Sequence, residues 1–173
     1  MLKKFLPKRY VKDVFQIKPD MLKEQGIKGI ITDLDNTLVA WDVADATGEI
    51  VEWISMLQEA GIQVTIISNN NEERVRVFSE PIKVPFEAAA RKPSTKAFHR
   101  ASKRMQLEPH EVAVVGDQLL TDVLGGNRGG FHTILVVPIV QTDAKITRFN
   151  RAIERRILNH FYKKGYLEKG AEE

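Results

Sequence analysis

Short apolar runs alternate with amphipathic segments through the middle of the chain. Nearly continuous apolar runs, such as the one at 27–32, predict parallel strands that are buried on both faces. Segments with apolar residues three and four positions apart, such as 49–60, predict helices that cover those strands. The predicted strands span 27–32, 62–67, 112–115 and 132–137, and the predicted helices span 49–60, 72–78, 94–105 and 118–125. This alternation predicts one α/β domain over residues 1–173, with a doubly wound, Rossmann-like parallel sheet.

The glycine-rich segment 125–130 comes after a predicted helix and before a predicted strand. That order is the reverse of a dinucleotide-binding fingerprint, in which the glycines follow a strand and open a helix. We therefore expect a helix C-cap and a turn at 125–130, and no phosphate loop.

Composition excludes several classes of protein. The chain has 173 residues and no cysteine, which excludes disulfides, thiolate zinc sites and cysteine nucleophiles. Its hydrophobic fraction of 43% is typical of a globular protein and argues against disorder. The longest apolar stretch, at 134–140, is too short to span a bilayer, and the first residues lack the pattern of a signal peptide. We therefore expect a cytoplasmic protein.

Charge is distributed unevenly, although the formal net charge is only +3. Residues 1–28 contain eight basic and three acidic residues, and residues 143–167 contain seven and two. The segment between them, 29–142, contains ten basic and fifteen acidic residues. The sequence therefore predicts an acidic centre with a basic N-terminal arm (1–28) and a basic C-terminal arm (143–167).

Polar residues follow the predicted strands, at the sheet edge where doubly wound folds bind their ligands. The set comprises Asp33, Asp35, Ser68, Lys92, Asp117 and Asp122. So many carboxylates in one site would raise one another's pKa values unless a cation is bound, and Mg²⁺ prefers carboxylate and phosphate oxygens. Lys92 and Ser68 then offer a charge and a hydroxyl group to a phosphoryl group. In Asp33-Leu34-Asp35, one carboxylate can face phosphorus while the other reaches the leaving-group oxygen.

Four motifs resemble those of the haloacid dehalogenase (HAD) superfamily. GIITDLDNTLV resembles the first motif, a hydrophobic strand followed by DxDxT, and VTIISNN resembles the second, a strand that ends in Ser or Thr. Lys92 followed by Pro93 resembles the third motif, and VVGDQLLTD resembles the fourth. The motifs occur in the family's order over residues 30–122, which is more than half of the chain.

This resemblance implies a Mg²⁺-dependent phosphatase that forms an aspartyl-phosphate. Asp33 is then the nucleophile, and Asp35 protonates the leaving group and later activates water. The implied Mg²⁺ ligands are the Asp33 carboxylate, the Asp35 main-chain carbonyl and Asp117. Asp122 is then farther from the ion, or bound to it through a water molecule. The implied phosphoryl-binding residues are Ser68 and Lys92, with Asn69 and Thr37 as weaker candidates.

The spacing of the motifs leaves no room for a cap domain. Residues 35–68 accommodate a loop and one helix, and residues 70–92 are also few. We therefore expect a HAD core that is capless or has a minimal cap, with an open site for a phosphate ester. As in some capless relatives, a neighbouring subunit of a homo-oligomer could screen that site.

The two arms allow three interpretations. In the C-terminal arm, Ile146, Phe149, Ile153, Ile157 and Phe161 recur at helical spacing, and the basic residues Arg148, Arg151 and Arg155 lie largely off that stripe. The N-terminal arm interleaves apolar and basic residues in a similar way. The apolar residues can pack on the sheet or on each other, or the basic residues can hold the protein on anionic lipid. Nucleic acid is a third alternative, but no base-reading motif supports it.

Length, the lack of a cap, the RKPS context and the basic ends resemble the YqeG-type proteins of HAD subfamily IIIA. That group is related to phosphatidylglycerophosphate phosphatases, which implies a role in phospholipid metabolism at the inner face of the membrane. A soluble sugar or nucleotide phosphate is the alternative substrate. A phospho-receiver domain, or a membrane or RNA adaptor, is the non-enzymatic alternative, against which Asp35 argues because it provides acid/base turnover.

Overall fold

The computed structural model describes residues 1–140 and 145–168, without the side chains of residues 145–147. Within these residues the sheet has six strands, all parallel and in the order β1-β6-β5-β2-β3-β4. The chain order reverses around β2, which confirms the predicted doubly wound fold. The strands are β1 (Arg9–Val11), β2 (Gly29–Thr32), β3 (Gln63–Ile67), β4 (Phe86–Glu87), β5 (Val112–Gly116) and β6 (His132–Val136).

Helices cover both faces of this sheet. They are α1 (Pro19–Glu24), α2 (Gly48–Glu59), α3 (Glu72–Ser79), α4 (Lys96–Arg104), α5 (Leu124–Arg128) and α6 (Lys145–Lys163). Successive strand residues point to opposite faces, so Ile30 of β2 packs with α2 and α3 while Ile31 packs with α4. Each fully buried aliphatic side chain of this kind stabilises the fold by about 1.5–3 kcal/mol. The central strands are therefore apolar along their length, and polar chemistry begins only where they end.

The helix before β6 continues three residues beyond its predicted end at 125. A π-helical turn at Leu119–Val123 leads directly into α5, which continues through two glycines to Arg128. A Cβ atom at Gly125 would lie 2.6 Å from the Phe98 ring, and one at Gly126 would lie 2.6 Å from Thr133 Cγ2. The predicted end of the helix at 125 is too early, because these two glycines allow close packing inside it. The predicted C-cap and turn do lie within 125–130, at Gly129 and Gly130.

Strand β1 was not predicted. It has only three residues and lies within the basic N-terminal arm, where charged neighbours hide the strand pattern. It pairs with β6 at the edge of the sheet, with Tyr10 opposite Leu135.

The two arms pack against each other and against the sheet. Ile157 and Phe161 of α6 lie in one apolar cluster with Leu135 of β6, and Leu2 and Phe5 of the N-terminal arm pack against it. This confirms the packing interpretation for those residues. Phe149, in contrast, is 71% exposed, so the packing interpretation does not hold for it, and the side chain of Ile146 lies outside the described set. No helix in residues 1–140 or 145–168 has the length and apolar character needed to cross a membrane.

Candidate active site

The ends of β2 and β5 bring two predicted site residues together. Thr32 is paired with Val115 in the register of these neighbouring strands, and the N–H of Asp33 donates to the Val115 carbonyl at 2.9 Å. Asp117 follows β5 directly after Gly116. Residues separated widely in sequence therefore meet at the carboxyl edge of the sheet, as the pattern of the strands predicts.

Three carboxylates form a buried cluster at this edge. Oxygen atoms of Asp33, Asp117 and Asp122 all lie within 4.8 Å of one another. Asp122 comes from the π-helical turn, and its Oδ2 accepts the N–H of Gln118 at 3.2 Å. A Cβ atom at position 116 would overlap the Asp122 carboxyl group, so Gly116 is what allows this carboxylate to lie over the end of β5.

Two cationic side chains neutralise part of the cluster. Lys92 Nζ lies 2.9 Å from Asp33 Oδ1 and 2.7 Å from Asp122 Oδ1, and its side chain is 2% exposed. Arg151 of α6 donates to the Asp117 carboxylate and, at 2.8 Å, to the Asp117 carbonyl. Arg151 also pairs with Glu154 at 3.2 Å. Three carboxyl groups therefore share two cations, so the cluster carries a net negative charge when all three are ionised.

The pKa values of the cluster reflect this imbalance. Burial raises the pKa of Asp33, and the nearby positive charge of Lys92 opposes that rise only in part. Burial and the negative charge of Asp33 raise the pKa of Asp117 to about 8, against the opposing charge of Arg151. Burial lowers the pKa of Lys92, but the negative charges of Asp122 and Asp33 outweigh it and raise that pKa above its usual value. Without a further cation, the cluster therefore keeps a proton on Asp117 near neutral pH.

Asp35 lies outside this cluster and has its own partners. Asn36 takes a left-handed conformation (φ 60°), which Asn tolerates, and its N–H donates to the Val39 carbonyl at 2.7 Å. The chain thus turns sharply after β2. Arg74 Nη2 and Nε donate to Asp35 Oδ1 at 2.9 and 3.1 Å, and Asn70 Nδ2 donates to Asp35 Oδ2 at 3.0 Å. Both oxygens of Asp35 are therefore anchored by α3 and the loop before it.

The remaining predicted residues surround the cluster. Ser68 is buried at the end of β3, where its hydroxyl oxygen accepts the N–H of Asn70 at 3.1 Å. The Asn69 amide accepts the N–H of Lys92 at 2.6 Å and donates to the Lys92 carbonyl at 3.1 Å. Thr37 Oγ1 donates to Asp117 Oδ1 at 3.0 Å. Asn69 and Thr37 therefore hold Lys92 and Asp117 in place.

Sequence reasoning missed Arg151 and Arg74. Arg151 was predicted on the solvated face of the C-terminal arm, but its side chain is only 15% exposed and reaches the acidic cluster from 34 residues away. No local pattern marks such a contact. Arg74 lies in the first turn of the helix that follows β3, and this position next to a strand end was the one available signal.

Comparison with known proteins defines the family. Residues 89–162 match the HAD-hydrolase-like family. The chain is 59% identical over 169 residues to the probable phosphatase YqeG of Bacillus subtilis, covering 97% of this chain and 98% of that protein. The chain belongs to the HAD-hydrolase-like family. The prediction of an enzyme, a phosphatase of this family, is confirmed.

More distant relatives of this HAD-family chain include a lipid-phosphate phosphatase. This chain is 27% identical to phosphatidylglycerophosphate phosphatase 1, chloroplastic/mitochondrial, of Arabidopsis thaliana, over 92% of this chain and 49% of that protein. The chain therefore spans about half of that relative.

Solved structures share the fold. One is the cobalt-bound deoxy-D-mannose-octulosonate 8-phosphate phosphatase of Haemophilus influenzae, with a TM-score of 0.55, 20% identity, and coverage of 79% of this chain and 90% of that one. Another is the Moraxella catarrhalis 3-deoxy-D-manno-octulosonate 8-phosphate phosphatase in complex with magnesium, phosphate and its sugar, with a TM-score of 0.51 and 14% identity over 85% of this chain and 96% of that one.

Proposed function

We propose that the chain is a Mg²⁺-dependent phosphomonoester hydrolase in which Asp33 is phosphorylated and the resulting aspartyl-phosphate is then hydrolysed. The observation that carries this proposal is the buried cluster of Asp33, Asp117 and Asp122, bridged by Lys92 at the carboxyl edge of the sheet. Within the family, a carboxylate placed beside a lysine in this way suits attack on a phosphoryl group, because the lysine compensates charge on the transferred oxygens.

The cluster fits a divalent cation. All three carboxylates are buried, their oxygen atoms lie within 4.8 Å of one another, and they exceed the neighbouring cations in charge. Oxygen ligands of this kind suit Mg²⁺. The ion would be held by the carboxylates of Asp33 and Asp117 and by the main-chain carbonyl of Asp35. Asp122 would lie farther from the ion, or would bind it through a water molecule. Such a cation supplies positive charge that offsets the negative charge of the transferred phosphoryl group.

The residues then divide the reaction into two steps. The Asp33 carboxylate forms a bond to phosphorus as the ester P–O bond breaks, and Asp35 gives its proton to the departing oxygen. In the second step, Asp35 takes a proton from water, the water oxygen bonds to phosphorus, and the bond to Asp33 breaks. Inorganic phosphate leaves, and both aspartates return to their starting states. Lys92 and Ser68 bind the phosphoryl oxygens in both steps.

For the substrate, we propose phosphatidylglycerophosphate at the inner face of the membrane. The first ten residues of the N-terminal arm pack with α6 at the β1–β6 edge of the sheet, so the basic residues of this part of the arm lie near those of α6. Attraction to anionic lipid contributes about 1 kcal/mol for each basic residue near the surface. The Arabidopsis relative, which is named for this lipid phosphate, supports the same substrate.

A p-nitrophenyl phosphate assay tests the reaction. We expect Mg²⁺-dependent hydrolysis by the wild type and a loss on the order of 10³-fold or more in Asp33→Asn. Asp42→Asn, which removes an exposed carboxylate of the loop after β2, is the matched control and should retain activity. If wild type and Asp33→Asn are equally inert across several esters, the proposed reaction is wrong.

A second assay tests the substrate. Phosphatidylglycerophosphate in anionic vesicles is compared with soluble sugar and nucleotide phosphates, by kcat/KM at fixed Mg²⁺. We expect the lipid to be preferred, with a rate that falls as salt screens the vesicle charge. A preference for a soluble ester, insensitive to salt, would contradict the lipid assignment and favour the soluble alternative.

A further inference from the structure

A cavity of about 710 Å³ lies between α6 and the carboxyl end of β6, and it reaches Asp117. Its size is within the range of small-molecule sites, and it is far larger than one phosphate group requires. Because Asp117 belongs to the acidic cluster, a molecule in this cavity adjoins the site of phosphoryl transfer.

One wall of the cavity is cationic. Arg148, Arg151 and Arg155 line it from α6, and the seven-residue step from 148 to 155 places the outer two on one face of the helix. Arg151 is already paired with Asp117 and with Glu154, the acidic residue of this wall. Among the residues that the structure describes, Arg148 and Arg155 form neither an ion pair nor a hydrogen bond. Two guanidinium groups are therefore available to an anion.

The facing wall is mainly apolar. Val137 and Pro138, which follow β6 and are half-buried, line it, whereas Leu135 and Val136 beside them are already covered by the protein. On the helix side, the half-buried Leu158 of α6 adds a further aliphatic group. A small inorganic anion would leave this wall in contact with water. A ligand that matches both walls carries an anionic group and, next to it, a hydrocarbon portion.

We infer that this cavity binds the leaving group of an amphiphilic phosphomonoester, and that Arg148 and Arg155 bind a second anionic group of it, such as a phosphodiester. This inference rests on the proposed phosphatase function. It assigns the choice of substrate to α6, outside the four motifs, and it places the hydrocarbon of the leaving group against Val137, Pro138 and Leu158.

Binding of a product analogue tests the inference without catalysis. Dihexanoyl phosphatidylglycerol is titrated as monomers into the full-length protein with Mg²⁺, by calorimetry. The test variant is Arg148→Gln/Arg155→Gln. The control is Arg156→Gln/Lys163→Gln, which removes the same charge from exposed positions with the same spacing on α6, away from the cavity.

We expect the test variant to bind at least tenfold more weakly than the wild type, and the control to bind like the wild type. Glycerophosphoglycerol, which lacks the acyl chains, and dihexanoyl phosphatidylcholine, which lacks the net charge, should both bind more weakly than dihexanoyl phosphatidylglycerol. Equal affinity of the two double variants would overturn the inference, as would equal affinity of the wild type for the two dihexanoyl lipids.

Turnover separates this inference from the proposed function. For dihexanoyl phosphatidylglycerophosphate relative to p-nitrophenyl phosphate, the ratio of kcat/KM should fall at least tenfold in the test variant and stay unchanged in the control. An unchanged ratio in the test variant overturns the inference while hydrolysis continues. If the wild type hydrolyses neither ester, the proposed function fails, and the binding titration still decides whether the cavity takes the anionic lipid.

Discussion

The metal-free protein is expected to lose stability as pH rises from about 5 to about 8. Asp117 has a pKa of about 8 in the folded chain, because of burial and the negative charge of Asp33, against an ordinary value of 3.8. Between these two pKa values the folded state binds more protons than the unfolded state. Stability therefore falls with rising pH through this window, and it is greatest below the unfolded pKa.

The pKa difference sets the size of the effect. A shift of about four units corresponds to at most about 5 kcal/mol, at 1.36 kcal/mol per unit. Besides burial, the negative charge of Asp33 raises the pKa of Asp117, so the shift belongs to the pair of carboxyl groups and not to Asp117 alone. For Asp117 we therefore expect about half of this free energy, on the order of 2–3 kcal/mol. For a chain of this size, that change lowers Tm by roughly 5–10 °C. Mg²⁺ binds the ionised carboxylates, so it should raise Tm more at pH 8 than at pH 5.5.

Thermal unfolding in EDTA and in Mg²⁺, at pH 5.5, 7 and 8.5, measures both effects. Asp117→Asn keeps the shape of the side chain but cannot ionise, so it should flatten the pH dependence in EDTA and reduce the response to Mg²⁺. Asp42→Asn, at an exposed position, should behave like the wild type. Comparing variants cancels the opposing contribution of His132, whose pKa is lowered by burial. A metal-free Tm that is flat or rises over this range, or an equal slope in Asp117→Asn, would contradict the raised pKa of Asp117 in the folded protein.

Three substitutions test other parts of the site. Lys92→Met leaves two buried carboxylates without their shared cation, so chemical denaturation should show a loss of about 3–5 kcal/mol in the free energy of unfolding. Gly116→Ala places a Cβ atom in the space of the Asp122 carboxyl group, so the Tm increase on adding Mg²⁺ should shrink by at least half. Arg74→Lys loses the two-point contact with Asp35, so kcat for p-nitrophenyl phosphate should fall about tenfold with little change in KM.

Matched controls separate these effects from general damage. Gly48→Ala adds a methyl group at the start of α2, where no atom lies within 4 Å of the new Cβ, so it should keep the full Mg²⁺ response. Arg76→Lys changes an arginine of α3 that pairs with Glu73 and Glu80 at the surface, and it should keep kcat. If Gly116→Ala or Arg74→Lys behaves like its control, the role given to that residue is wrong.

The central sheet and the meeting of the site residues could be predicted from the sequence. Runs such as the one at 112–115 are apolar because their strands are buried on both faces, and a parallel sheet brings the ends of β2 and β5 to one edge. Asp33 and Asp117 each follow the end of a strand, so their proximity follows from topology alone. The same reasoning brought Lys92 and Asp122 to this edge.

Contacts that depend on packing between distant segments could not be predicted. Arg151 reaches Asp117 only because α6 docks on β6 and the N-terminal arm, and the periodicity of the arm does not show where it docks. Phe149 shares that periodicity, but it lies outside the part of α6 that packs against β6 and the N-terminal arm, so it is exposed. The end of this helix was predicted too early for a related reason, since two adjacent glycines in a sequence do not show that Phe98 and Thr133 approach them closely inside a helix.

Detection of a phosphoryl group on Asp33 tests the central claim most directly. The wild type is mixed with p-nitrophenyl phosphate and Mg²⁺, quenched in acid within one turnover, and its peptides are mapped by mass spectrometry. Asp35→Asn, which cannot activate water, should accumulate more of the intermediate. We expect a phosphoryl group on the peptide that contains Asp33, and none at that position in Asp33→Asn. Steady hydrolysis with no modified Asp33, or with the phosphoryl group on another residue, would contradict this expectation.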